Sequence, residues 1–125
     1  MNAPKPLALV VDDSRVVRTV SRKIMENLGF EVIEAENGKD AVARCKERVP
    51  KIVLLDWNMP VMDGMEFLLA FRQVDAHMES IVIMCTTEND MSKIMEAMSC
   101  GANEYVMKPF DEGIIKGKLQ QLGLM

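Results

Sequence analysis

An α/β fold with a doubly wound, five-stranded parallel sheet is predicted by three features of the sequence. Five short apolar runs alternate with five amphipathic stretches along the 125 residues, and such alternation builds a parallel sheet with helices on both faces. The central run, Ile52-Val53-Leu54-Leu55, has no polar alternation, as a strand buried on both faces requires. Asp12, Asp13, Asp56, Thr86 and Lys108 all fall where runs end, at the edge where open α/β sheets bind ligands.

In chain order, Leu7-Ala8-Leu9-Val10-Val11 predicts the first strand, ending in Asp12-Asp13, and Ser14 is a good N-cap. A helix over 15–28 places Val16, Val17, Val20, Ile24 and Leu28 on one face, and Gly29 ends it. Residues 30–35 set Val32 and Ile33 between Glu31 and Glu34, which predicts a more exposed strand. Asn37-Gly38 is a turn, and a helix over 39–48 buries Ala41, Val42 and Cys45 until Pro50 stops it. After the central strand and Asp56, Pro60 fixes its backbone angle and Asp63-Gly64 supplies a residue that tolerates positive φ. A helix over 65–74 follows, then a fourth strand over 80–86. Asn89 or Asp90 caps a helix running to Cys100, Gly101 ends it, residues 104–107 form the fifth strand, and the last helix runs from near Asp111 to about Leu122. No repeat, low-complexity tract or second domain is visible, so one domain over 1–125 is expected.

Composition narrows the classes. A net charge of -4 and a pI near 5.0 supply no basic field for counterion release, which argues against a nucleic-acid partner. Cys45, Cys85 and Cys100 are an odd, widely spaced set without a CxxC, the pattern of reduced thiols in a cytoplasmic protein. Residues 1–6 contain two prolines and no long apolar core, so neither a signal peptide nor a membrane span is expected. His77, the one histidine, lies in a polar stretch and is expected to be solvated.

The strand-end residues carry the chemistry. Two carboxylates held about 5 Å apart repel by roughly 3 kcal/mol at an effective dielectric near 20, so bringing Asp12, Asp13 and Asp56 together calls for a cation. An Asp-Asp pair alone more often sits at a helix N-terminus beside the macrodipole. Together with Asp56, Thr86 and Lys108 at the same edge, the set points instead to a hard dication such as Mg²⁺, which takes oxygen ligands and keeps several waters.

Five motifs stand in order at the expected strand ends: Val10-Val11-Asp12-Asp13-Ser14, Leu55-Asp56-Trp57-Asn58-Met59-Pro60, Met62-Asp63-Gly64, Cys85-Thr86-Thr87-Glu88, and Tyr105-Val106-Met107-Lys108-Pro109-Phe110. With them the chain resembles, over nearly its whole length, a response-regulator receiver domain, and more narrowly a chemotaxis regulator of the CheY type.

The resemblance implies a flavodoxin-like (βα)5 fold with strand order 2-1-3-4-5. It makes Asp56 the phospho-acceptor, a carboxylate nucleophile that yields an aspartyl phosphate. Asp13, Asp56 and the backbone carbonyl of Asn58 would bind Mg²⁺ directly, and Asp12 through water. Lys108 would neutralise phosphoryl oxygens, with Thr86 donating its hydroxyl to one of them. Tyr105 becomes the aromatic whose rotamer follows Thr86, and the Lys108-Pro109 bond is expected to be cis. Asn58 and Glu88 match positions that tune the hydrolytic water. Thr87 departs from the family's usual small alanine or glycine, which puts the lifetime of the phosphoryl group in question. Trp57 is expected to be partial core or to report metal binding by fluorescence.

Two functions stay open. One is a stand-alone, monomeric signalling receiver, phosphorylated by a histidine kinase of the CheA type and then binding a protein target such as a flagellar switch protein. The other is a phosphate sink or shuttle with no motor target. A flavodoxin-like electron carrier shares the fold, but Asp12-Asp13 would repel a flavin phosphate. With nothing after the last helix, output is expected through protein contact rather than through an attached enzyme or DNA-binding unit. Met91, Ile94, Met95 and Met98 share a face of the fourth helix. The stripe could be core, but flexible Met side chains suit an adaptable surface, and the resemblance implies an output surface on the fourth helix, fifth strand and fifth helix around Tyr105, so Met91, Ile94 and Met98 are expected to stay partly exposed there as the partner-binding surface.

Overall fold

The computed structural model describes residues 4–87 and 89–125. The elements run β1 (Leu7–Val11), α1 (Arg15–Asn27), β2 (Glu31–Ala35), α2 (Gly38–Glu47), β3 (Ile52–Asp56), α3 (Gly64–Arg72), β4 (Ile81–Thr86), α4 (Met91–Ser99), β5 (Glu104–Met107) and α5 (Glu112–Gln121), with a short 3-10 turn at Asp75–His77. The sheet is parallel throughout in the order β2-β1-β3-β4-β5, the flavodoxin-like arrangement expected above.

Strand alternation sorts the core into two layers. Leu9, Val11, Val53, Leu55, Val82 and Met84 pack on one side against Ala41, Cys45, Phe67, Leu68, Phe71 and Ala97. Ala8, Val10, Ile52, Leu54, Ile83 and Cys85 pack on the other against Ile24, Met25, Ile115 and Leu119. Each fully buried aliphatic side chain contributes about 1.5–3 kcal/mol, so the runs without polar alternation are stable only in the middle of this sandwich. No helix among the described residues is long and apolar enough to cross a membrane.

Helix boundaries follow their caps. Ser14, Asn37, Asp63, Asp90 and Asp111 each accept a backbone N–H from the first turn of the helix they precede. Asp63 and Glu66 complete a reciprocal capping box. Gly29 and Gly101 follow α1 and α4 at φ 99° and 114°, the left-handed region that ends helices. Asn37 is thus a cap rather than part of a free turn, and Gly38 opens α2, with its N–H on Met62 O at 3.0 Å.

Three expectations are corrected. Val16 is 73% exposed and Val20 is also exposed, while Ser21, Ile24 and Met25 are buried. At about 100° per residue, an i, i+4 row drifts by roughly 40° each step, so Val16 and Val20 lie at the outer margin of the stripe that Ile24 and Leu28 carry to the sheet. His77 is buried rather than solvated. The Asp75–His77 turn tucks its ring onto Phe71, with centroids 4.2 Å apart and planes 10° from parallel, and sets Nδ1 3.2 Å from the Phe71 carbonyl oxygen. Ile94, expected at a partly exposed surface, is 3% exposed: it shares with Ala97 the face of α4 turned to the sheet, whereas Met91 and Met95 lie exposed.

Candidate functional site

Register brings the predicted groups together. Val11 pairs with Leu55, Asp56 with Cys85 and Thr86 with Met107, so β1, β3 and β4 finish side by side. Asp12 follows β1 with its N–H on Ala35 O at 3.1 Å. Its carboxylate accepts the Ser14 N–H at 2.9 Å through Oδ1 and Lys108 Nζ at 2.7 Å through Oδ2. Asp56 closes β3 and accepts the same ammonium through Oδ1 at 2.8 Å. Lys108 is anchored in turn by its N–H on Thr86 O at 2.8 Å, and the Lys108-Pro109 bond is cis. Asp13 is exposed. Carboxylate oxygens of Asp12, Asp13 and Asp56 lie within 4.8 Å of one another.

The electrostatics are unbalanced. Burial pushes the Asp56 carboxyl above the ordinary carboxylate range; the Lys108 hydrogen bond pulls it down, and the charges of Asp12 and Asp13 push it up again. Burial also opposes the Lys108 ammonium, yet its hydrogen bonds to Asp12 and Asp56 outweigh this and hold it above the usual lysine value. One ammonium shared between two carboxylates gains from both, while each carboxylate has only part of a partner. Three hard anionic oxygens against a single cation fit a small dication, and the exposed Asp13 leaves room for retained water. Asp12, Asp13 and Asp56 would hold it.

The turn after Asp56 is shaped by close backbone approach. Gly64 donates to Trp57 O at 2.9 Å, and a Cβ on it would overlap the Asp56 carbonyl oxygen and come 3.0 Å from Trp57 Cα. Positive φ falls not at Asp63-Gly64 but at Val61, with φ 71°, an uncommon conformation for a β-branched residue. Asn58 lies in this turn with its side chain exposed, and Trp57 is half-buried against the core.

Thr86 is buried. Because Tyr105 pairs with Met84 in register, Tyr105 and Thr86 occupy the same face of the sheet. Tyr105 is half-buried, and Lys118 Nζ stands 5.6 Å from its ring centroid. Met98 is half-buried against the same core layer as Tyr105. Thr87 is exposed and lines a groove of about 300 Å³ with Val16, Val17, Val20, Lys108 and Phe110. Glu88 lies outside the described residues. Cys45 and Cys85 are buried, and burial pushes both thiols up to about 12.

Arg18 and Glu34 were not singled out from sequence, yet Arg18 touches the site through the Asp12 carbonyl. Its position four residues after the Ser14 cap was a signal; the approach of Glu34 depends on strand register that no local pattern reveals.

Comparison with known proteins agrees with this geometry. A family model described as response regulator receiver domain matches residues 8–120. The chain is 40% identical over 103 residues to the chemotaxis protein CheY of Bacillus subtilis, covering 82% of this chain and 84% of that one. To chemotaxis protein CheY1 of Helicobacter pylori it is 36% identical over 114 residues, covering 90% and 92%. The structure of the chemotaxis response regulator CheY4 of Vibrio cholerae superposes with a TM-score of 0.88 at 31% identity, covering 94% of this chain and 98% of that chain.

Proposed function

The chain belongs to the response regulator receiver domain family and is of the CheY type, and we propose that it is a single receiver over 1–125 in which Asp56 accepts a phosphoryl group from a histidine kinase. The observation that carries this reading is Lys108 Nζ bridging Asp56 and Asp12 with Asp13 at hand: a nucleophile, a fixed cation and a dication cradle at one edge. An Asp56 carboxylate oxygen attacks the phosphorus of phosphohistidine, the P–N bond breaks, and the imidazole leaves with the electron pair. Asp12, Asp13, Asp56 and the Asn58 carbonyl would hold Mg²⁺, which would supply charge neutralisation at the phosphoryl oxygens. Lys108 pairs with one of those oxygens and the Thr86 hydroxyl donates to another. Such transfer is mostly positioning and charge stabilisation, which these residues are placed to give. Asn58 and Glu88, each two residues beyond a site residue in sequence, and Thr87 set the lifetime of the acyl phosphate in this reading.

The output is chemotaxis signalling, as the names of the relatives suggest, and in this reading a cytoplasmic monomer binds a flagellar switch protein when phosphorylated. Thr86 drawn toward the phosphoryl group leaves space for Tyr105 to turn inward and shifts a pre-existing equilibrium of the α4, β5 and α5 surface. Exposed Met91, Met95, Met107 and Ile114 favour a protein-binding output over a phosphate sink.

Transfer from a labelled histidine kinase tests the chemistry. Label is expected on the wild type with Mg²⁺ and absent in EDTA or from Asp56→Asn; full labelling in EDTA contradicts the metal role. Pull-down of the switch protein by phosphorylated but not unphosphorylated receiver is expected, and transfer without any such binding would favour the sink.

A further inference from the structure

Arg18 leaves α1 one turn after the Ser14 cap, its N–H on Ser14 O at 3.0 Å, and helical side chains lean back toward the N-terminus. Its guanidinium therefore reaches the Asp12 carbonyl oxygen, Nη1 donating at 2.6 Å. Nε donates to Glu34 Oε1 at 3.2 Å, while Glu34 Oε2 takes Arg22 Nε at 2.6 Å. Glu34 can stand there because it pairs with Val10 across β1 and β2, and Val10 faces the α1 side of the sheet. The Arg18 side chain is only 15% exposed, so these charge-assisted hydrogen bonds are partly shielded from water.

Asp12 is thus held at every polar group: N–H by Ala35, carbonyl by Arg18, carboxylate by Ser14 and Lys108. Asp13 is exposed and takes its position from the backbone before it. Resting on the metal-dependent reading above, we infer that Arg18, braced by Glu34, is a positioning residue for the cation site, fixing the Asp12-Asp13 turn so that both carboxylates meet Asp56. Two physical effects of Arg18 have opposite signs. As a bare charge it repels a dication, and its removal would tighten Mg²⁺ binding. As a clamp it preorganises the ligands, and its removal weakens binding. Glu34, shared with Arg22, offsets part of the guanidinium charge, and Glu26 takes part of Arg22, so the clamp dominates.

The test is Mg²⁺ titration of the unphosphorylated protein, read by fluorescence of Trp57, the one tryptophan, and by calorimetry, with urea unfolding in EDTA as a stability control. Arg18→Ala should weaken Mg²⁺ binding about tenfold, the low end for removing a group that orients metal ligands. Arg18→Lys keeps the charge but not the fork and should also bind more weakly, with metal-free unfolding close to wild type. Glu34→Gln should weaken binding by a smaller factor. Unchanged or tighter binding in both Arg18 variants overturns the proposal while leaving the metal site intact. If Arg18→Ala does not fold, Arg18→Lys alone decides. A wild type that binds no Mg²⁺ by either readout overturns both this inference and the metal-dependent reading on which it rests.

Discussion

Lys108 Nζ stands 2.8 Å from Asp56 Oδ1. The same ammonium is shared with Asp12, so the Asp56 carboxylate is held near a cation without being fully neutralised. That leaves a charge deficit that a dication can fill.

That deficit has a pH signature. The folded Asp56 carboxyl is raised by burial, against the pull of Lys108, with Asp12 and Asp13 adding to the rise. A carboxyl whose folded pKa exceeds its unfolded value stabilises the fold fully below the unfolded value, about 3.9, and loses that contribution as pH rises through the folded pKa. Asp56→Asn, which has no charge to lose, should therefore be more stable than wild type to urea at pH 7, with the difference shrinking as pH falls toward 3.5. A difference independent of pH would show that ionisation of Asp56 is not its source.

Asp12 and Asp13 have different surroundings. Asp12 is buried and engaged by Ser14 and Lys108, whereas Asp13 is exposed. Asp13→Ala should weaken Mg²⁺ binding more than Asp12→Ala, read as quenching of Trp57, and EDTA should reverse the quenching. Equal dissociation constants for the two variants would argue against a direct and an indirect ligand.

On α4, burial separates packing from contact. Ile94→Ala should cost about 2–5 kcal/mol in urea unfolding, as for other buried isoleucines. Met95 is 64% exposed, and Met95→Glu should change stability by no more than about 0.5 kcal/mol while lowering affinity for the protein target. If Met95→Glu binds the target as wild type does, the exposed methionines of α4 are not the contact surface.

Gly64 links the turn to Asp56. Gly64→Ala places a methyl group against the Asp56 carbonyl and should destabilise the fold by roughly 1–3 kcal/mol, the range for overpacking, while also weakening Mg²⁺ binding. Wild-type stability in that variant would mean the turn can relax away from Asp56.

The residues legible in the sequence were those whose role is set locally. Leu54 and Leu55 had to be buried whichever element covered them, and Asp12, Asp56, Thr86 and Lys108 fell at strand ends that the apolar runs marked. Residues set by long-range packing were not legible. Whether Val20 or Ser21 of α1 meets the sheet depends on how the helix is rotated, and Ile94 and Met95 are adjacent yet one is buried and the other exposed. His77 looked polar in its local run, and only the fold carries the Phe71 ring to it. Gly64 looked like a positive-φ residue, but its lack of a Cβ serves close approach to Asp56, and the left-handed conformation falls on Val61.

That Asp56 takes the phosphoryl group is tested most directly by trapping it. Borohydride reduces an acyl phosphate to an alcohol, so protein phosphorylated by acetyl phosphate with Mg²⁺, reduced and digested, should yield homoserine at position 56 by tandem mass spectrometry. Homoserine at position 12 or 13 instead, or phosphate retained undiminished on Asp56→Asn, would contradict the assignment.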